Sequence, residues 1–154
     1  MTESASAPPL EPDHAVGRPG RSTASGPGRV LVLVYAVLAV SATARSVVQI
    51  GRDLSTAPVA YLLSAFAALV YVTATVALAK GTGRWRVVAW VAVGIEAVGV
   101  VLVGALSLLR PDLFPESTVW SELGAGYGFV PLVLPALGLL WLARTRPTPP
   151  TAGR

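Results

Sequence analysis

Glu96 is the residue in this chain whose type and position point most directly to chemistry. It lies nine residues after Val87, within a run of Val, Ala, Gly and Ile, about 14 Å along a helix from the start of that run. A charged side chain at the centre of a membrane helix costs roughly 2.5–3.5 kcal/mol, so it needs a partner or a role. The position is typical of a proton- or cation-responsive site.

Arg45 is the basic counterpart of Glu96, about 22 Å along another apolar run that starts at Val30. Because helical side chains tilt toward the helix N-terminus, Arg45 leans toward the depth of Glu96. Two interpretations stay open. Arg45 pairs with Glu96, directly or through water, or it snorkels to the outer headgroups.

Further polar residues belong to the same candidate site. Ser41 and Gln49 recur with Arg45 every four residues and give that helix one polar face. Tyr71 and Ser41 lie about 12 and 16 Å from the cytoplasmic ends of their helices, close to the depth of Glu96. On the helix of Glu96, small residues such as Ala92 and Gly99 share its side, which favours burial against other helices over exposure to lipid.

Two prolines, Pro131 and Pro135, are predicted inside the last apolar run. Each lacks an N–H, which would leave the carbonyl groups of Tyr127 and Pro131 unpaired. Two alternatives follow: a kinked helix satisfied by its neighbours, or a small polar pocket at mid-depth.

Other kinds of site are not supported. The chain has no cysteine, and its single histidine, His14, lies in a Pro/Gly/Ser-rich leader, so we expect no metal and no cofactor. Gly124, Gly126 and Gly128 do not have the G-x-G-x-x-G spacing of a nucleotide-binding loop. Gly94, Gly99 and Gly104 are spaced by five and lack the G-x-x-x-G dimer motif.

The elements that must position these residues are long apolar runs. The chain is 53% hydrophobic and 13% charged, whereas soluble domains carry about 25% charge. A chain of 154 residues has no room to bury four all-apolar helices in water. The fold class is therefore predicted as all-α, a polytopic membrane protein with a bundle of four transmembrane helices at 30–50, 59–79, 87–109 and 125–143.

Charge sets the predicted orientation, with both termini and the loop 80–86 in the cytoplasm of a plasma-membrane protein. The regions 1–29 and 144–154 are predicted to be disordered cytoplasmic tails. An Ala-x-Ala stretch at 42–44 resembles a signal-peptidase site, but a 44-residue leader is too long, so we expect span 1 to be retained. Val119, Trp120 and Leu123 are predicted to lie on the outer interface. The basic residues on the cytoplasmic side are Arg18, Arg21, Arg29, Lys80, Arg84, Arg86, Arg144, Arg146 and Arg154.

The chain resembles a group of uncharacterised four-span integral membrane proteins of high-GC actinobacteria. The resemblance rests on Ala44-Arg45-Ser46 with Gln49, on the stretch 57–66 (APVAYLLSAF) and on the stretch 127–131 (YGFVP). It covers about residues 30–143 and implies a membrane protein, with no assigned activity. Small-multidrug-resistance transporters also have four short spans and a membrane glutamate, but theirs is in span 1 and Glu96 is in span 3.

Two functional hypotheses follow. The first is a non-catalytic accessory, scaffold or regulatory component, because no nucleophile–base or metal constellation is present. The second is a small oligomeric transporter or channel with Glu96 as its responsive site and Arg45 as a partner or selectivity element. An enzyme is not expected, since Glu96, Tyr71 and Arg45 are too scattered in depth for general acid–base catalysis. The predicted partners are the lipid bilayer and a second copy or another membrane protein, with no nucleic acid.

Overall fold

The computed structural model of the protein describes residues 26–145, which are helical with connecting turns and contain no strand. Most of the predicted leader and tail, with His14, therefore lies outside the described residues. Three helices are long, one is short, and two 3-10 segments lie between the last two of them. The α-helices are α1 (Pro27–Asp53), α2 (Pro58–Lys80), α3 (Arg84–Leu109) and α4 (Val130–Arg144), and the 3-10 segments are Pro111–Leu113 and Ser121–Tyr127.

Local sequence sets the helix ends. The first turns of α1, α2 and α4 contain Pro27, Pro58 and Pro131. In the first turn of a helix, backbone N–H groups have no intrahelical acceptor, so a proline removes no hydrogen bond there. Gly81 ends α2 in the left-handed conformation, with φ of 62°, and its N–H donates to the carbonyl of Ala77 at 2.9 Å. A glycine accepts this conformation without a steric penalty.

The helices form a ring in chain order. Consecutive helices pack together and α1 also contacts α4, whereas α1 and α3 lie diagonally opposite with little or no backbone contact among the described residues. The basic end of the ring, defined by Arg29, Lys80, Arg84, Arg86 and Arg144, contains both described termini and the α2–α3 turn. The opposite, loop end contains the connections 54–57 and 110–116.

The outer surface of the ring is apolar. Val40, Leu69 and Leu109 are 70%, 67% and 76% exposed, while Glu96 and Ser64 inside are fully buried. Helices α1, α2 and α3 are long and apolar enough to cross a membrane. The prediction of an all-helical chain with membrane-length apolar helices is confirmed.

The predicted fourth span, 125–143, differs from the structure. Helix α4 has 15 residues and begins at Val130, and the 3-10 segment before it lies at 98° to it. The length of α4, about 22 Å, is short of a 30 Å hydrocarbon core. The 3-10 segment and α4 form a bent pair, which counts as a fourth span only if both parts are taken together. Gly128 and Phe129, with φ of 62° and 60°, break the helix that the apolar pattern predicted.

Candidate functional site: the buried Glu96 cluster and the inserted segment

Glu96 lies near the middle of α3 with its side chain fully buried. The hydroxyl of Tyr35, on the diagonally opposite α1, donates a hydrogen bond of 2.7 Å to Oε2 of Glu96. The other carboxyl oxygen, Oε1, is buried and has no hydrogen-bond partner among the described residues. Two long side chains therefore meet at the centre of the ring and connect two helices that lie diagonally opposite each other.

Tyr71, on α2, is the second aromatic neighbour of this carboxyl group. It is fully buried, and its ring centroid lies 6.3 Å from that of Tyr35. Its hydroxyl oxygen accepts a hydrogen bond of 3.0 Å from Nε1 of Trp120. Accepting this bond leaves the Tyr71 proton available for a further acceptor. We call Tyr35, Tyr71, Glu96 and Trp120 the Glu96 cluster.

No cation accompanies the Glu96 carboxyl group within residues 26–145. Lys80 lies 4.0 Å from the ring centroid of Trp85, and Arg86 donates to the carbonyl of Leu142. An unpaired carboxylate is costly away from water. The site therefore accommodates a protonated Glu96, or an ionised one together with a bound cation.

Arg45 binds the connection after α3 and not Glu96, the acidic partner that the sequence suggested. Its Nη2 donates to the carbonyl oxygen and to Oγ of Ser117, at 2.8 and 2.7 Å. A direct Arg45–Glu96 pair is thus wrong for this structure, because Arg45 lies about 15 Å along α1 from Tyr35, the α1 residue that contacts Glu96. The interpretation that Arg45 reaches toward the outer headgroups stays a prediction. Arg45 reaches the connection after α3, at the loop end.

The remaining predicted site residues do not join the cluster. Ser41 is half-buried, and Gln49 is buried with Oε1 lacking a hydrogen-bond partner among the described residues. Pro131 lies in the first turn of α4, so the prediction that it interrupts a helix is wrong. Pro135 lies inside α4, as predicted, and is fully buried.

The structure adds an element that the sequence did not reveal, residues 117–124, which we call the inserted segment. Val119 and Trp120 are 0% and 1% exposed, so the prediction that they lie on the outer interface is wrong. Trp120 lies against Gly99, about 15 Å along α3 from its end at Leu109. The segment thus enters the ring from the loop end and reaches the Glu96 cluster.

Hydrogen bonds within the inserted segment give it a defined shape. The N–H of Thr118 donates to Oγ of Ser121 at 2.8 Å, and the N–H of Ser121 donates back to Oγ1 of Thr118 at 3.0 Å. Trp120 N–H also donates to Oγ1 of Thr118, at 3.1 Å. These bonds satisfy backbone donors that no regular helix pairs at this point.

Three consecutive residues of the inserted segment have left-handed backbones. Glu122, Leu123 and Gly124 have φ of 51°, 59° and 81°. For an L-residue this conformation costs about 1–2 kcal/mol, and only Gly124 escapes the penalty. The N–H of Glu122 is held by Oγ of Ser107 on α3 at 2.7 Å, which offsets part of that cost.

Two glycines of α3 make room for the inserted segment. A Cβ atom at Gly99 would lie 2.6 Å from the Trp120 ring, and one at Gly104 would lie 2.7 Å from the backbone nitrogen of Leu123. The five-residue spacing of these glycines, unsuited to a helix–helix dimer motif, therefore fits a connection packed along α3. A Cβ atom at Gly94 would meet no other atom within 4 Å, so Gly94 does not make room for the inserted segment.

An exposed ion pair marks the loop end. Nη2 of Arg110 lies 2.8 Å from Oδ2 of Asp112, with both side chains 59% exposed. The hydrogen bond with Asp112 raises the pKa of Arg110, and the same bond lowers the pKa of Asp112. A solvated pair of this kind contributes little to stability.

Comparisons with known proteins add no further assignment to these contacts. No protein-family model, no curated protein and no solved structure matches the chain. Within the described residues, no group of three or more His, Cys, Asp or Glu side chains is placed to hold a metal ion.

Proposed function

We propose that the chain is a non-catalytic integral plasma-membrane protein that works as an accessory, scaffold or regulatory component. In this proposal the bent pair before and in α4 counts as the fourth span and both termini are cytoplasmic. Support for the orientation comes from the charges, since the basic end has five described cations and the loop end has three, Arg45, Arg52 and Arg110. The likeness to the actinobacterial four-span group stays a prediction.

One observation carries this proposal: the inserted segment is held by a side chain from each long helix. Arg45 of α1 binds Ser117, Tyr71 of α2 accepts from Trp120, and Ser107 of α3 accepts from Glu122. The strained backbone at Glu122 is held by the last of these contacts. Strain that the surrounding structure maintains is typical of segments with a role in function. The loop end, with the exposed side chains of Glu116 and Glu122, is where we expect a partner protein to bind.

Co-purification from native membranes tests the proposal. The wild-type chain is expected to retain a defined membrane-protein partner in constant ratio. Arg45→Gln, which removes the donors to Ser117, is expected to lower that ratio several-fold. Arg52→Gln is the matched control, because Arg52 is an exposed arginine near the same end of α1. Purification of the chain alone, or the same partner ratio in both variants, would contradict the proposal.

A second function, proton- or cation-linked transport by an oligomer, is favoured by a specific feature of Glu96. Its Oε1 atom is buried without a hydrogen-bond partner among the described residues, which leaves one acceptor for a proton or cation. Reconstitution into liposomes distinguishes the two functions. Transport predicts ion or proton flux in the wild type that is lost in Glu96→Gln, whereas the accessory role predicts no flux in either protein.

A further inference from the structure

An apolar groove opens between α1 and α4 at the basic end of the ring. Its volume is about 290 Å³, close to the lower limit of roughly 300 Å³ for pockets that hold small ligands. The side chains that line it are hydrophobic apart from one cation at its end. They include Leu31, Val34, Leu134, Leu137, Trp141 and Arg144.

The length of the groove fits one acyl chain. Its lining runs from Pro27 to Val34 on α1 and from Leu134 to Arg144 on α4, which corresponds to about 10 and 15 Å of helix. Half of a 30 Å hydrocarbon core is about 15 Å, so the groove spans one leaflet. Trp141, in the lining near Arg144, is of a type enriched at the membrane–water interface.

Charge at this end favours an anionic headgroup. The basic end has five described cations and no described acidic side chain. Glu96 is buried within the ring, and Asp112, Glu116 and Glu122 belong to the connection at the loop end. A basic cluster next to a membrane attracts anionic lipids.

We propose that the groove binds an anionic phospholipid of the leaflet at the basic end, with one acyl chain along α1 and α4 and its phosphate at Arg144. A second copy of the chain is a poorer occupant. A two-fold interface through this groove places the same patch on both subunits, so Arg144 of each copy would approach a cationic surface. A zwitterionic lipid offers the same acyl chain without the net charge.

Native mass spectrometry of the full chain in detergent tests the site, with phosphatidylglycerol and phosphatidylcholine of identical acyl chains as probes. One equivalent of phosphatidylglycerol is expected to bind more tightly than phosphatidylcholine. A juxtamembrane cation contributes a factor of about fivefold to the binding of an anionic lipid. Arg144→Gln is therefore expected to lose most of the preference, while Arg84→Gln, the same charge change outside the groove lining, retains it.

A second pair of variants tests the acyl slot itself. Leu137 is 52% exposed in the groove and Leu69 is 67% exposed on α2, so each accepts a tryptophan without disturbing the interior. Leu137→Trp is expected to remove the bound equivalent, and Leu69→Trp to keep it. The proposal would be overturned if both lipids bound equally or if Arg144→Gln kept the preference for phosphatidylglycerol. It would also be overturned if the wild type were a dimer without bound lipid and Leu137→Trp dissociated that dimer.

Discussion

Glu96 and Tyr35 connect two diagonally opposite helices, and this makes Glu96 a central contact of the ring. Tyr35 donates to one carboxyl oxygen, and neither oxygen faces a cation among the described residues. A hydrogen bond from Tyr35, and not an ion pair with a described residue, is therefore what holds Glu96 in this structure. A residue held this way tolerates a neutral isostere and does not tolerate the loss of its acceptor.

Glu96→Gln is expected to leave folding and abundance close to wild type, because the amide oxygen still accepts from Tyr35 and the amide N–H₂ takes the place of Oε1. Glu96→Leu removes the acceptor and leaves the buried Tyr35 hydroxyl unpaired, which costs about 1–3 kcal/mol. Thermal unfolding followed by helicity in detergent measures both changes.

The double variant Tyr35→Phe with Glu96→Leu is the control for this pair. Replacing both partners by apolar groups is close to neutral, so the double variant is expected to recover part of the stability lost in Glu96→Leu. Unfolding of Glu96→Gln at the temperature of Glu96→Leu would show instead that the ionised carboxylate has a structural partner.

Sequence reasoning identified Glu96 and Tyr71 as groups at one depth, and the structure buries both. It missed Tyr35, which the same calculation places about 6 Å shallower than Glu96. The lengths of the two side chains span that difference, and backbone depth does not include them. Gly138, where a Cβ atom would lie 3.1 Å from the Tyr35 hydroxyl, was the available hint of close packing there.

At the scale of elements, the inserted segment is the feature that distinguishes this chain from a plain helical bundle. It enters between α2 and α3, where Trp120 contacts Tyr71 and Phe66 edge-on with ring centroids 6.4 and 6.1 Å away. Gly99 and Gly104 leave the space along α3 that it occupies. The position of the segment therefore depends on two missing side chains as much as on its own contacts.

Gly99→Ala and Gly104→Ala are expected to displace the inserted segment, because the new Cβ atoms collide with the Trp120 ring and with the backbone of Leu123. Overpacking of this kind costs about 1–3 kcal/mol. Displacement is measured by the rate of proteolysis at 114–124 in detergent and by the change in tryptophan fluorescence.

Gly94→Ala is the matched control on the same helix, since a Cβ atom there meets nothing within 4 Å. Alanine is the better helix former by about 1 kcal/mol, so Gly94→Ala is expected to be neutral or stabilising. If all three alanine variants behaved alike, the glycines would not be making room for the inserted segment.

The three long helices were predictable because an uninterrupted apolar run of membrane length favours one structure, a long apolar helix. The region 117–129 was not, because its left-handed residues Glu122 and Leu123 depend on contacts with Ser107 and Gly104 of α3, which are distant in the sequence. The apolar residues after Ala125 gave a helical signal that Gly128 and Phe129 interrupt. Trp120 is of a residue type common at membrane interfaces. In the sequence, only Gly99 and Gly104 of α3 indicate that it packs inside the ring.

At the scale of the whole molecule, polarity is arranged for a membrane, with exposed aliphatic side chains around a buried acid. The cations at the basic end and the acidic side chains at the loop end make the two ends of the ring differ in charge. The proposed orientation, the expected partner surface at the loop end and the lipid groove at the basic end all depend on a bilayer that covers the apolar outer surface.

Labelling of single cysteines tests that central claim most directly, because the chain has none of its own. Suitable positions are Glu116 at the loop end, Thr82 in the α2–α3 turn, and Val98, which is 59% exposed on the side of α3. With a membrane-impermeant maleimide, Glu116→Cys is expected to react in intact cells and Thr82→Cys only after permeabilisation, while Val98→Cys stays unreactive until detergent denaturation. Reaction of Val98→Cys in water, in a chain that remains monodisperse without detergent, would contradict it.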